Sequence, residues 1–331
     1  MNMTKGMWQR LALGAAAALL AGSVNAQTAT LATDAAGTTY NAVGSGMAKV
    51  ITAGSKLRVI VRPFGGPDAY LDQLNNNELN FAALSGSTAY LSYNGKNRAK
   101  KAYKNLRLLR SGAGGLKVGF IALKDSSITK VSDLRGKRVA SDYGGHAVIG
   151  RSIAAALASA GLTWKDVKPV PVTGANDGVT ALDAGRVDAC WASLGQPVIR
   201  QLNAAKGVRY LSFVKTDQSL AMLRKMIFPG VKLETVKKNP SIGVQDDIYM
   251  ITYDAYMVTN KDVPDAVVGQ ALEGLWAKTD ELVKIHRGLS GFTHESAVTE
   301  IPMVPYHPAA IAFYKAKGLW TKEAEMANNK F

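Results

Sequence analysis

Leu31-Ala32-Thr33-Asp34-Ala35-Ala36-Gly37 opens a stretch, running to Thr88, whose pattern returns without a gap at an offset of 108 residues. The second copy begins Val139-Ala140-Ser141-Asp142-Tyr143-Gly144-Gly145, so that Asp34 falls on Asp142 and Gly37 on Gly145. Further along, Pro63 falls on Pro171, Gly66 on Gly174, Leu74 on Leu182 and Ser85 on Ser193. The apolar runs that start at Val59 and Leu79 meet those at Val167 and Val187. Each copy reads strand, Gly turn, helix, strand, Gly turn, helix, strand. A long period occurring twice predicts two similar α/β lobes, because solenoid repeats are shorter and more numerous.

Upstream of the first copy, Lys5 and Arg10 precede the apolar run Leu11 to Ala21, which ends in the small residues Ser23-Val24-Asn25-Ala26. This is the pattern of a secretory signal peptide cleaved after Ala26, and its apolar run is too short for a membrane span. No Cys near the cut offers a lipid anchor and no twin-Arg pair precedes the run, so a periplasmic location is expected. About 305 residues then remain, a length that suits two lobes better than one core. Cys190 is the only cysteine, which excludes an intrachain disulfide.

Removing Lys5 and Arg10 takes the formal charge from +15 to +13, a balance that favours anionic partners. The basic residues are scattered, however. Their densest cluster, Lys96 to Lys104, reads as a solvated helix face between two strands, and export argues further against nucleic acid.

Between and beyond the copies, Leu106 to Leu109 and Val118 to Leu123 read as two strands around Gly112-Ala113-Gly114-Gly115, the second being the first crossover between lobes. Ile248 to Val258 reads as the return crossover. Lobe I is then expected to comprise residues 27–120 and 254–331, and lobe II residues 121–253. Asp262-Val263-Pro264 starts a helix on which Val267, Leu272, Leu275 and Leu282 keep helical spacing, and a last helix follows His307-Pro308. Two lobes joined by two crossing segments make a hinge with a ligand cleft between them.

In open α/β sheets, ligands bind beyond the carboxyl ends of the strands, against the free amides of helix starts. The turns at those ends supply the candidate ligand-binding residues: Gly37, Thr38, Thr39 and Tyr40 after the first strand, Gly65 and Gly66 after the second, and Ser85 and Ser87 after the third. Their counterparts in the second copy are Tyr143, Gly145 and His146, Gly174, and Ser193. Tyr40 suits either a ligand wall or helix packing, Trp191 either the pocket or the core, and the Ser residues either the cleft or helix capping. None of the turns has the Gly-x-Gly-x-x-Gly spacing or the Lys-Ser/Thr of a nucleotide loop.

The chain resembles the TAXI type of TRAP transporter solute-binding protein over essentially all of residues 27–331. The residues that carry the resemblance are Gly37-Thr38-Thr39-Tyr40, Leu134-Arg135-Gly136-Lys137-Arg138-Val139, Ala160-Gly161-Leu162-Thr163-Trp164-Lys165-Asp166-Val167 and Gly185-Arg186-Val187-Asp188-Ala189. Two closing segments add to it, Tyr306-His307-Pro308-Ala309 and Phe313-Tyr314-Lys315-Ala316-Lys317-Gly318. The resemblance implies a type II periplasmic-binding-protein fold, a small organic anion in the cleft (an amino acid, a dicarboxylate or an aromatic carboxylate) and a TRAP membrane permease as partner. An ABC or tripartite tricarboxylate importer would use the same fold. Two departures stand out: Ser85-Gly86-Ser87 replaces a Gln-Ser-Asp-like triplet, and Gly144-Gly145-His146-Ala147-Val148 replaces a Gly-Ser-Gly-Thr-like turn. They imply a changed pocket.

Catalytic chemistry finds little material. The sequence has no Gly-x-Ser-x-Gly elbow, its four His have no metal spacing with one another, and Cys190 lies inside an apolar strand. Asp34 and Asp142, at equivalent turns, suggest either paired carboxylates or two Asp side chains that bond their own turns' amides. Only His146 with these two Asp residues could serve an exported enzyme; no cofactor or metal is expected.

Overall fold

The structure is a computed structural model and describes residues 27–331; the signal-peptide expectation lies outside the described residues. Its strands are β1 (Gln27–Thr33), β2 (Leu57–Pro63), β3 (Phe81–Ser85), β4 (Leu106–Leu123), β5 (Arg138–Ser141), β6 (Lys168–Pro171), β7 (Cys190–Ser193), β8 (Val208–Tyr210), β9 (Lys232–Val236) and β10 (Ile248–Asn260). The helices are α1 (Thr39–Gly54), α2 (Leu71–Asn75), α3 (Gly86–Tyr93), α4 (Ala147–Ser159), α5 (Ala175–Asp183) and α6 (Pro197–Lys206). These are followed by α7 (Asp217–Met226), α8 (Asp265–Ala277), α9 (Thr279–Ile285), α10 (Pro308–Ala316) and α11 (Lys322–Asn328).

The internal copy is visible in the strand pairing. In the first lobe β1 lies between β2 and β3, parallel to both, and β10 then β4 continue the sheet antiparallel. In the second lobe β5 runs parallel to β6 and is bridged to Ala189 beside β7, after which β4 and then β10 follow. The two long strands therefore exchange places. The Ala255–Thr259 part of β10 pairs with β3, the Val118–Ile121 part of β4 pairs with β7, and the other half of β10 pairs with β9. This gives the two-lobe α/β fold anticipated from the repeat.

The exchange occurs at an irregularity. The β4–β10 register shifts between Tyr253 and Ala255, opposite Gly112 to Leu116, and the Gly114 N–H donates to the Asp254 carboxylate at 3.0 Å. Gly114 has φ +56°, and a Cβ at Gly112 would lie 2.4 Å from the Phe292 ring. Where the glycines predicted a break between two strands, β4 instead runs through as one strand of 18 residues, because its partner β10 pairs with both halves.

Three other expectations are corrected. Residues 96–104 form no helix: Gly95 and Lys100 have positive φ, and the Asn97 side chain bonds the backbone of Lys101 in both directions. Such local bonds compete with a helix. Leu282 belongs to α9, which begins anew after Lys278 rather than continuing α8. Beyond α10 one more helix, α11, follows, capped by the Thr321 hydroxyl. The stretch that holds β8, α7 and β9 has no counterpart in the repeat, and the repeat gave no reading of it.

Packing explains why α1 is so placed. Its buried face, including Val43, Met47, Val50 and Ile51, covers β1 and β3, and Gly44 brings the helix against Leu31 and Thr33. Thr38 caps the helix start through the Asn41 N–H at 3.2 Å, which fixes Thr39 and Tyr40 just beyond the end of β1.

Candidate functional site

Helix starts converge at the junction of the lobes. A cavity lies there, walled by the beginnings of α1, α3, α4, α5 and α6 and by the exchanged strands. Aligned peptide dipoles place partial positive charge at each of these helix starts. The walls contain no Arg or Lys among the described residues.

Of the residues expected to form the site, Thr38, Thr39, Tyr40, Ser85, His146 and Ser193 line this cavity. Asp34, Thr88, Trp191, Gln196 and Tyr253 join them, as do the apolar side chains of Leu84, Leu116, Val118, Val148 and Ile149. Trp191 serves both roles open to it: it reaches the cavity and packs edge-on against Phe120, with ring centroids 5.3 Å apart. Ser85 likewise caps α3 through the Thr88 N–H at 2.9 Å while reaching the cavity. Ser87 stands behind it, its hydroxyl 2.7 Å from that of Ser85.

The expected glycines do not line the cavity; they let the lobes meet at its rim. A Cβ on Gly66 would fall 2.5 Å from the Gly145 carbonyl and 2.6 Å from the His146 ring, and one on Gly145 would press on Gly65 and Gly66 at 3.3 Å. Gly174 comes near the Gly65 carbonyl, and Gly37 sits against Val198 and Asn176. Tyr143 also lies off the cavity. It is fully buried, and its hydroxyl oxygen accepts the backbone N–H of Trp191 at 2.7 Å.

The lobes are bound together across the cleft. The Thr39 and Ser193 hydroxyls are 2.6 Å apart, and the Asn176 side chain donates to the Ala36 carbonyl at 2.7 Å. Asp68 N–H donates to the Gly145 carbonyl at 3.1 Å, while the Asp68 carboxylate accepts the Ala147 N–H at 3.2 Å. A first-lobe carboxylate thus caps a second-lobe helix, α4, whose own N-cap His146 makes no side-chain cap bond. Arg98, in the basic cluster, crosses to Asp142 at 3.2 Å and to the Gly144 carbonyl.

Asp34 and His146 form a buried pair in the cavity wall, with His146 Nε2 3.2 Å from Asp34 Oδ2. The two groups lie at ion-pair distance but out of hydrogen-bond alignment. Burial works against an imidazolium at His146, yet Asp34 and Asp68 outweigh it and raise the His146 pKa above its ordinary value. Asp68, half-buried, has its own pKa raised, chiefly by burial, against the opposing pull of the Ala147 amide, His146 and Arg98. Neither reading of the paired Asp residues holds. Asp34 makes no bond to its own turn's amides, and Asp142 lies at the surface with Arg98. Asp34 was thus legible as a position, but its partner comes from the other copy.

Cys190 is buried, and burial pushes its thiol pKa well up, as suits a small core residue. Among the described residues no group of three His, Cys, Asp or Glu could hold a metal ion, and no helix is long and apolar enough to cross a membrane.

A family model described as the NMT1-like family matches residues 31–318. The chain belongs to the NMT1-like family. The chain is also similar in fold to two solved structures. One is the periplasmic binding protein BugD, 15% identical at a TM-score of 0.55, with 91% of this chain and 96% of that chain covered. The other is a protein of Bordetella bronchiseptica RB50, also 15% identical, at a TM-score of 0.51, covering 93% of this chain and 98% of that one.

Proposed function

We propose that this protein is an extracytoplasmic receptor that captures a small organic anion by lobe closure and hands it to a membrane permease. The observation that carries the reading is the cavity itself, walled by helix starts of both lobes and bridged by direct lobe-to-lobe contacts. Lobe I comprises residues 27–120 and 254–331 and lobe II residues 121–253, with the hinge where β4 and β10 exchange sheets. In the open form each lobe presents half of the contacts, so a solute that touches both favours the closed form by its differential affinity. The helix starts and the hydroxyls of Thr38, Thr39, Tyr40, Ser85 and Ser193 hold the anion without an Arg. Chemistry on the solute is no part of the function.

Export to the periplasm after cleavage at Ala26 fits this role, as does the fold shared with the periplasmic binding protein BugD. The permease is of TRAP type, a choice that rests on the sequence resemblance; the same fold would serve an ABC or tripartite tricarboxylate importer. The gene beside this one discriminates them, since a large multi-spanning TRAP permease there supports the first.

A thermal-shift screen of the mature protein tests the receptor reading with amino acids, oxo acids, dicarboxylates, aromatic acids and neutral controls. A solute at a hundredfold over its Kd stabilises the folded state by about 2.7 kcal/mol. The reading expects one anionic class to raise Tm; a response confined to neutral controls would refute the anion assignment.

A further inference from the structure

Asp34 contradicts the simplest version of a plain anion site. Its side chain is a carboxylate with almost no exposure, and Oδ1 has no hydrogen-bond partner although it belongs to the wall of the cavity. A carboxylate only accepts hydrogen bonds, so nothing but a donor satisfies that oxygen. Tyr40, on the same wall, is also buried with its hydroxyl unpartnered. Burial, with the Tyr253 and Asp34 sites nearby, holds its pKa well up, so it keeps an O–H to give. Among the residues lining the cavity, Asp34 Oδ1 is therefore an unmet acceptor and the Tyr40 hydroxyl an unmet donor, while the two His146 ring nitrogens, also without partners, are turned towards Asp34 and Gly66.

Much of the remaining wall is apolar, although Thr88, Gln196 and Tyr253 also line it. Leu116, Val118, Val148, Ile149 and Trp191 face the same space. His146 stands beside Asp34, its Nε2 3.2 Å from Oδ2, but its Nδ1 edge faces Gly66 rather than the cavity.

We propose that the solute is a 2-amino or 2-hydroxy acid with an apolar side chain, whose N–H or O–H donor is read by Asp34 Oδ1 while its carboxylate meets Tyr40 and the helix starts. This rests on the receptor reading above and narrows it. An oxo acid or an unsubstituted acid of the same shape would leave Asp34 Oδ1 without a donor. A site built around a buried hydrogen-bonding group rejects such analogues strongly.

Isothermal titration calorimetry at pH 7 on the mature protein tests this with two matched sets. The first is leucine, 2-hydroxy-4-methylpentanoate, 4-methyl-2-oxopentanoate and 4-methylpentanoate; the second is the corresponding series built on phenylalanine. The expected result is that a donor-bearing acid binds at least about tenfold tighter than the oxo and unsubstituted acids of its set. In Asp34→Asn, whose amide can itself donate, that preference should collapse or pass to the oxo acid. The amino and hydroxy arms tell whether the donor is an ammonium or a hydroxyl group. Equal or tighter binding of an oxo or unsubstituted acid to the wild type would overturn the inference, whatever the variant's stability. Failure of all eight acids to bind would also overturn it, while the wider anion panel decides the receptor reading separately.

Discussion

His146 is the residue on which two effects are balanced, and its pH behaviour tells them apart. Burial disfavours the imidazolium, but Asp34 and Asp68 raise the pKa above the ordinary 6.5. A folded-state pKa above the unfolded one gives stability that is complete below the unfolded value and is lost as pH rises through the folded value. The Tm difference between wild type and His146→Gln should thus be largest below the ordinary value of about 6.5 and shrink as pH rises above it; a difference that grows with pH would mean that burial wins. Tyr143 makes a second case at this scale. Tyr143→Phe leaves the buried Trp191 N–H without its acceptor and should cost about 1–3 kcal/mol in urea unfolding, with solute affinity nearly unchanged. Sequence alone singled out both residues, as aromatic or polar groups at a strand-end turn. It could not separate a cavity residue from a core residue, because Tyr143 sits in the left-handed region at φ 51° and turns its ring into the lobe.

At the scale of elements, the helix starts do most to shape the cavity. Ser85 caps α3 and also meets the hydroxyls of Ser87 and Thr88 at 2.7 and 2.8 Å. Ser85→Ala should cost about 1 kcal/mol of stability through the lost cap, read from chemical unfolding, and should weaken solute binding in calorimetry. The strands and helices of the two copies were legible because a regular apolar period and a Gly turn recur together. Elements without a copy were not. β8 and β9 are short and are fixed by pairing with β4 and β10, and α7 by packing on α4, partners distant in sequence. The same cause hid the continuity of β4: four residues at Gly112 to Gly115 signal a turn locally, but a strand that pairs on both sides overrides local preference. The cluster at 96–104 failed for the opposite reason, since Asn97 and the positive φ of Lys100 stop a helix that charge spacing alone allowed.

For the whole molecule, the internal repeat foretold two lobes, and β4 and β10 run through both and join them. What no single copy could reveal is the set of contacts between copies. Gly66 is the sharpest point of approach, and its φ of 160° is ordinary extended backbone, so a side chain there strains nothing until the lobes close. Gly66→Ala should therefore keep each lobe folded, with Tm of the empty protein changed little, while opposing the approach to Gly145 and His146. The decisive measurement is small-angle X-ray scattering on wild type and Gly66→Ala, each with and without the strongest ligand of the anion screen. The wild type should shrink in radius of gyration on saturation, and the variant should remain extended and bind more weakly. A ligand that raises Tm but leaves the wild-type scattering unchanged, or a variant that compacts equally well, would contradict capture by lobe closure.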